Sequence, residues 1–226
     1  MSLSEAIGVV GLEVLTGIDG ERRPWHGALA KLFDIGEQTI TEVNAEIRAG
    51  RLGPRSCLFG RVSGPFTRNM IADLASLIDE EYPIVLQAPF EDTASVAGAV
   101  WPGCELFGTQ RNDGVLKLRF ERGTLDLPLH VHEQSDRYIV VLRGDGVFHY
   151  TDETLRAFTA TNIHGRPVRA GDVLVFTRGL LHTFSAPTED LLLLSYHNPL
   201  IPLNDAAQYT LPILRWTPAM DGGLVH

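Results

Sequence analysis

The sequence has little cysteine, no long apolar run and no cluster of basic residues, and each absence excludes a class of protein. Its 226 residues contain two cysteines, Cys57 and Cys104, without C-x-x-C spacing. We therefore expect two reduced thiols in a cytoplasmic protein. No apolar stretch of about 18 residues is present, so a membrane span is not expected. The first residues, MSLSEAIGVVGLEVL, have no basic residue before their apolar part, which disfavours a secretory signal.

Positive charge is also scarce. Lys and Arg total 19 against 28 Asp and Glu, which gives a formal net charge of −9. Binding to nucleic acid requires a basic face that neutralises phosphates, so nucleic acid is not expected as a partner. We expect a small-molecule substrate or ligand instead.

The pattern along the chain changes near residue 101. Before it, apolar residues recur at helical spacing in 39–48 and 69–79. After it, short runs separated by turn signals predict strands, including 127–132, 138–143, 157–161 and 191–197. We predict an N-terminal helical or mixed extension over 1–100, a β-barrel over 101–198, and a Pro-rich tail over 199–226 that packs on the barrel.

Three histidines within the predicted barrel have metal-ligand character. His130 and His132 are two residues apart, and side chains at that spacing project from one face of a β-strand. His182 follows a later turn and can join them from another strand. Neutral imidazole is the commonest protein ligand of transition metals, so these residues are candidate ligands.

Two segments around these histidines resemble the two sequence motifs of the cupin superfamily. Gly123 to Gly144 contains the His-x-His pair, and Gly171 to His182 contains a Gly-Asp, a strand, a turn glycine and a histidine. The resemblance covers residues 123–186 and implies a mainly β fold, a double-stranded β-helix or jelly-roll barrel with the N-terminal helical extension. It also implies that His130, His132 and His182 bind a metal.

One position departs from the motif. Where cupins usually have a metal-binding glutamate, this sequence has Arg137, and an arginine cannot ligate a cation. Asp136 precedes it and faces the opposite side unless the strand bulges there. Two ligand sets therefore stay open: the three histidines alone, and the three histidines with Asp136.

Other side chains near the motifs are candidates for substrate binding: Arg137, Tyr138, His149 and His197. For Arg137 we weigh an exposed position, a structural ion pair and a clamp for a substrate carboxylate, and we favour the first two. His149 fits a surface or a barrel-lining role, and His197 could line the mouth of the pocket.

The resemblance implies a metal-binding cupin protein, and we expect a non-haem Fe(II)-type dioxygenase or oxidoreductase that acts on a small molecule. Fe(II) is the favoured ion, although Mn, Ni or Zn would suit imidazole ligands too. The alternatives are a non-catalytic ligand-binding or sensor cupin and a metal-dependent isomerase of a sugar or organic acid. Proteins of the resembling family often pair, so we expect a homodimer.

Overall fold

The computed structural model describes residues 55, 57–61, 96–102, 112 and 114–221. The two predicted helices, and with them the helical part of the predicted extension, lie outside these residues. Within the described part, no helix is long and apolar enough to cross a membrane.

The described part is built of β-strands with two short 3₁₀ turns, Leu155–Ala157 and Pro218–Asp221. The strands are β1 (Cys57–Arg61), β2 (Val96–Pro102), β3 (Gly114–Phe120), β4 (Asp136–Arg143), β5 (Asp145–Thr151), β6 (His164–Arg169), β7 (Asp172–Phe176), β8 (Leu181–Ser185) and β9 (Leu191–Asn198).

The strands form two antiparallel sheets. One sheet has the order β1-β7-β4-β9-β3-β2, and the other has the order β6-β5-β8. Beside β8 runs an extended segment that includes Thr124, His130 and Val131, each of which forms an isolated bridge. The prediction of a mainly β jelly-roll barrel is confirmed by this arrangement.

The core lies between the two sheets. Ile139 and Leu193 of the larger sheet belong to the same buried cluster as Phe148 and Phe184 of the smaller one. Phe148 stacks on Phe176 with ring centroids 5.4 Å apart, so the inner faces are in direct contact. Each such fully buried side chain contributes about 1.5–3 kcal/mol of hydrophobic stabilisation.

The tail covers the outer face of the smaller sheet. Trp216 is 4% exposed and packs with Leu129, Val131 and Leu181. Backbone hydrogen bonds from Leu129 N to Trp216 O and from Val131 N to Thr210 O tie the tail to the segment beside β8. Both faces of this part of the sheet are therefore buried.

Strands β1 and β2 extend the barrel sheet toward the N-terminus. β1 pairs with β7, and β2 pairs with β3 along its whole length. The six-stranded sheet thus uses residues that precede 101, the predicted start of the barrel. The division into extension, barrel and tail stays a prediction for the remainder of the chain.

Candidate metal centre and adjoining cavity

The structure brings His130, His132 and His182 together inside the barrel. His130 and His132 lie on the extended segment before β4, and His182 lies on β8. Their ligand nitrogens all lie within 4.8 Å of one another. The three side chains are buried, so they face one another rather than solvent.

Backbone carbonyls orient all three rings. The Nδ1 atoms of His130 and His182 lie 2.9 Å from the carbonyl oxygens of Pro128 and Leu180. Nδ1 of His132 contacts the carbonyl oxygen of Gln208. Because a carbonyl only accepts, each Nδ1 donates a proton and each Nε2 keeps its lone pair. This is the tautomer in which a histidine binds a metal through Nε2.

The environment keeps the three imidazoles neutral. Burial lowers the pKa of His130 to about 4, against a smaller opposing effect of the bond to Pro128. Burial, followed by the charge of Arg137, lowers the pKa of His132 well below its usual value, and burial does the same for His182. At neutral pH these groups are unprotonated, as ligation requires.

Arg137 lies in the same cavity as the histidines, so our preference for an exposed or ion-paired Arg137 is corrected. Its side chain is 1% exposed. Nη1 donates to the hydroxyl of Ser135 and to the carbonyl oxygen of Asp136, while Nη2 has no hydrogen-bond partner in the described part of the chain. Burial lowers its pKa to about 9, which still leaves the guanidinium charged at neutral pH.

Asp136 does not join the histidines, and its candidate role as a fourth ligand is corrected. One carboxylate oxygen accepts from the backbone N of Arg178 at 2.8 Å. The other forms an ion pair with Nη2 of Arg178 at 3.0 Å. The physical reason is strand alternation, because β4 is regular at this point and Arg137, not Asp136, faces the interior.

The cavity beside the histidines is small, with a volume of about 50 Å³. Its walls are largely apolar and include Leu116, Phe120, Phe176 and Phe184. Its polar lining consists of the three candidate ligands together with Arg137, Ser195, His197, Gln208 and Tyr209. A cavity of this size suits a few waters or a small organic molecule.

Within the described residues, two further polar atoms at the cavity have no hydrogen-bond partner, namely Nδ1 of His197 and Oε1 of Gln208. His197 is 3% exposed and Gln208 is 4% exposed. Nε2 of His197 lies 2.9 Å from the hydroxyl of Ser195. Buried polar atoms are normally satisfied, so these atoms indicate a polar occupant of the cavity.

Comparison with known proteins finds a matching family for the central part of the chain. The sequence profile described as Cupin matches residues 109–199, which include all three histidines. This part of the barrel is therefore similar to the cupin family. No curated protein matches the sequence.

Solved structures similar to the cupin domain include oxalate decarboxylase of Lactobacillus farciminis in complex with formate, at 14% identity and a TM-score of 0.37. That match covers 56% of this chain and 32% of the other. A variant of Bacillus subtilis oxalate decarboxylase matches at 15% identity and a TM-score of 0.38, over 49% of this chain and 27% of the other.

Recombinant oxalate oxidase in complex with glycolate matches at 18% identity and a TM-score of 0.40. The match covers 56% of this chain and 59% of the oxidase. In all three cases the chain spans less than two thirds of the length of the similar protein.

The turn glycines of the two cupin motifs occupy the left-handed region. Gly123, Gly144, Gly171 and Gly179 all have positive φ. At Gly144 a Cβ atom would lie 1.9 Å from the carbonyl oxygen of Asp190, so a side chain has no room at this turn. This close approach requires glycine where β4 turns into β5.

His149 lies outside the cavity, and its candidate role in substrate binding is corrected. Its neighbour Phe148 points inward, with its ring 5.9 Å from that of His182. Because side chains alternate along β5, His149 lies on the other face. There its ring centroid is 5.5 Å from that of Trp216, and its Nε2 forms a hydrogen bond with the Ser185 hydroxyl. Tyr138 lies in β4 between Arg137 and Ile139, and its side chain lies outside the described part.

Sequence reasoning missed Gln208 and Ser195, which line the cavity together with His197. Ser195 lies two residues before His197 on β9 and shares its face, so the strand pattern offered a signal for it. Gln208 belongs to the tail and has no motif around it. It reaches the site because Thr210 pairs with Val131, one residue from His132.

Proposed function

We propose that this cupin domain binds a divalent transition metal through His130, His132 and His182 and acts on a small molecule as an oxidoreductase of the non-haem Fe(II) dioxygenase type. One observation carries the proposal: three buried, neutral imidazoles direct their Nε2 lone pairs toward one another at the wall of a cavity. When bound, such an ion supplies Lewis-acid and redox chemistry at open coordination positions.

The donor set supports a transition ion over calcium or magnesium. Imidazole nitrogen suits iron, nickel, copper and zinc, whereas calcium and magnesium prefer oxygen ligands. Among the described residues, no carboxylate belongs to the group of ligand atoms around these histidines. Three ligands on one side leave positions open for a substrate and O₂, which favours Fe(II).

The remaining residues of the cavity would bind and shield the substrate. The apolar walls exclude water from the reacting groups, and the buried charge of Arg137 attracts a polar or anionic group of the substrate. The small cavity limits the substrate to a few non-hydrogen atoms near the metal.

Anaerobic reconstitution with Fe(II), followed by elemental analysis and measurement of O₂ uptake with a panel of small carboxylic acids, tests the proposal. We expect stoichiometric iron and substrate-dependent O₂ uptake in the natural protein. Both should be lost in His132→Ala and retained in His164→Ala, a matched control whose histidine is exposed on β6. Iron retained by His132→Ala at the natural level, or no O₂ uptake with any acid, would overturn it.

A non-catalytic ligand-binding cupin is the second candidate. The unsatisfied atoms of Arg137, His197 and Gln208 favour a bound ligand whether or not it reacts. Binding of an acid without O₂ uptake would support this candidate. Turnover that proceeds without O₂ would instead support the metal-dependent isomerase.

We also propose that the protein is a homodimer and is cytoplasmic. Light scattering tests the homodimer, and cell fractionation tests the location.

A further inference from the structure

We propose that Arg137, His197 and Gln208 form an anion subsite that holds a small hydroxy acid beside the three histidines. The carboxylate would bind the guanidinium of Arg137, and the hydroxyl would donate to Oε1 of Gln208. This inference rests on the proposed function, because it names the substrate class of the same site.

The first observation is a buried charge without a direct ion pair. Arg137 is 1% exposed, and its Nη2 has no hydrogen-bond partner among the described residues. Within the described residues, no carboxylate forms an ion pair with it, and the adjacent Asp136 is bound to Arg178. A buried charge without a directly bonded carboxylate is costly, and a carboxylate that accepts from Nη2 would offset that cost.

The second observation is the total charge of the site. Imidazole ligands bring no negative charge, so a divalent ion bound by the three histidines beside the Arg137 guanidinium would leave the cavity strongly positive. No acidic side chain lines the cavity among the described residues. An anionic ligand would supply the negative charge that the described lining lacks, and the anion and the metal should then bind cooperatively.

The third observation is the position of His197. It is the direct cross-strand partner of Arg137 in the pair formed by β4 and β9. Side chains at such positions lie about 5 Å apart at Cβ, so one small molecule can contact both. Because the Ser195 hydroxyl can donate to or accept from Nε2, the free Nδ1 can offer either role to a ligand.

Gln208 favours a ligand that carries a hydrogen-bond donor. Its backbone oxygen holds the His132 ring, so the residue lies next to the candidate metal site, and its side-chain Oε1 is unsatisfied. An amide oxygen accepts hydrogen bonds, so the ligand should carry an O–H or N–H group as well as its carboxylate. The cavity of about 50 Å³ restricts this ligand to a short acid.

Isothermal titration calorimetry with Zn(II)-loaded protein tests the subsite without any turnover. The probes are glycolate, acetate, which lacks the hydroxyl, and glycolamide, which lacks the charge. We expect glycolate to bind at least about tenfold more tightly than glycolamide, since charge-assisted bonds are about twice as strong as neutral ones. Acetate should bind more weakly than glycolate, and Gln208→Leu should remove that difference.

The variants locate the effect. Arg137→Gln should lose at least about tenfold in glycolate affinity, and Arg137→Lys should lose less because it keeps the charge. Arg178→Gln removes an exposed charge that neighbours the same strand and should bind glycolate normally. A thermal melt of each variant shows whether it is folded. Equal glycolate affinity in the natural protein and in folded Arg137→Gln or Arg137→Lys would overturn the proposal.

Titration of the metal-free protein separates the two proposals. If Zn(II) does not bind but glycolate binds in an Arg137-dependent way, the metal proposal fails and the anion subsite stands. If Zn(II) binds through the histidines and glycolate shows no preference over glycolamide, the metal proposal stands and the subsite is wrong.

Discussion

His130 and His182 exchange two backbone hydrogen bonds, at 3.0 and 2.9 Å, and this pairing sets their rings 4.6 Å apart. The candidate metal site is thus positioned by a backbone bridge between β8 and the segment before β4. Replacement of one imidazole leaves that bridge in place. The consequences of removing single side chains can therefore be tested in a folded barrel.

Removal of the charge at Arg137 should tighten metal binding when no anion is present. Burial and, after it, the charge of the guanidinium lower the pKa of His132 and His197, and the same charge repels a bound cation. We expect Arg137→Gln to raise Zn(II) affinity several-fold. Arg137→Glu should raise it further, because it places a carboxylate where cupins usually have a metal-binding glutamate. Competition with a chelator in an anion-poor buffer measures this. Weaker binding in both folded variants would contradict it.

The metal-free protein should lose stability in mild acid. The pKa of His130 is about 4 in the folded chain against a usual value of 6.5, so the unfolded state binds more protons between these values. The contribution of His130 to the free energy of unfolding is then fully present above about pH 6.5, and it is lost as the pH drops toward 4. For His130 alone the loss is on the order of 3 kcal/mol.

Urea unfolding in the presence of EDTA at several pH values measures this loss. His130→Gln should flatten the pH dependence, whereas His164→Gln, which replaces an exposed histidine, should leave it unchanged. A slope that is the same in His130→Gln and in the natural protein would show that His130 is not the group responsible.

Two motif glycines should differ in their tolerance of alanine. Gly123 and Gly144 have φ of 91° and 81°, but a Cβ at Gly123 meets nothing within 4 Å, while one at Gly144 meets the Asp190 carbonyl. Gly123→Ala should cost only the backbone strain of about 1–2 kcal/mol. Gly144→Ala should cost at least about 3 kcal/mol, because backbone must move. Equal midpoints of urea unfolding would contradict this difference.

The grouping of the candidate ligands and most of the barrel were predictable because both follow local rules. Alternation placed His130 and His132 on one face, and the alternating pattern predicted a strand over 191–197 that the structure shows as Leu191–Asn198. The strand predicted over 157–161 is wrong, since Thr154 caps a 3₁₀ turn over Leu155–Ala157. The neighbouring strand β6 was missed because it is almost wholly exposed and shows no apolar alternation.

The burial of the Arg137 side chain could not be predicted from the sequence. Arginine is rarely buried, so its exposed or paired state was the natural expectation. Only the register of β4 with β7 and β9 shows that this position faces the cavity. Gln208 is a similar case, because its place depends on how the tail pairs with the barrel.

The thiol of Cys57 should react slowly with alkylating reagents. Burial raises its pKa to about 12, and the opposing effect of Arg166 is smaller. Because the thiolate is the nucleophile, Cys104→Ala protein should react with iodoacetamide at pH 8 more than about a hundredfold more slowly when folded than in urea. A folded rate within tenfold of the unfolded rate would contradict this.

Anomalous X-ray diffraction at the absorption edge of the reconstituted metal tests the central claim most directly. The account predicts one strong anomalous peak within bonding distance of the Nε2 atoms of His130, His132 and His182. Asp136 should still be paired with Arg178. A peak elsewhere, a carboxylate of Asp136 bound to the metal, or no peak in protein soaked with Fe(II) would contradict it.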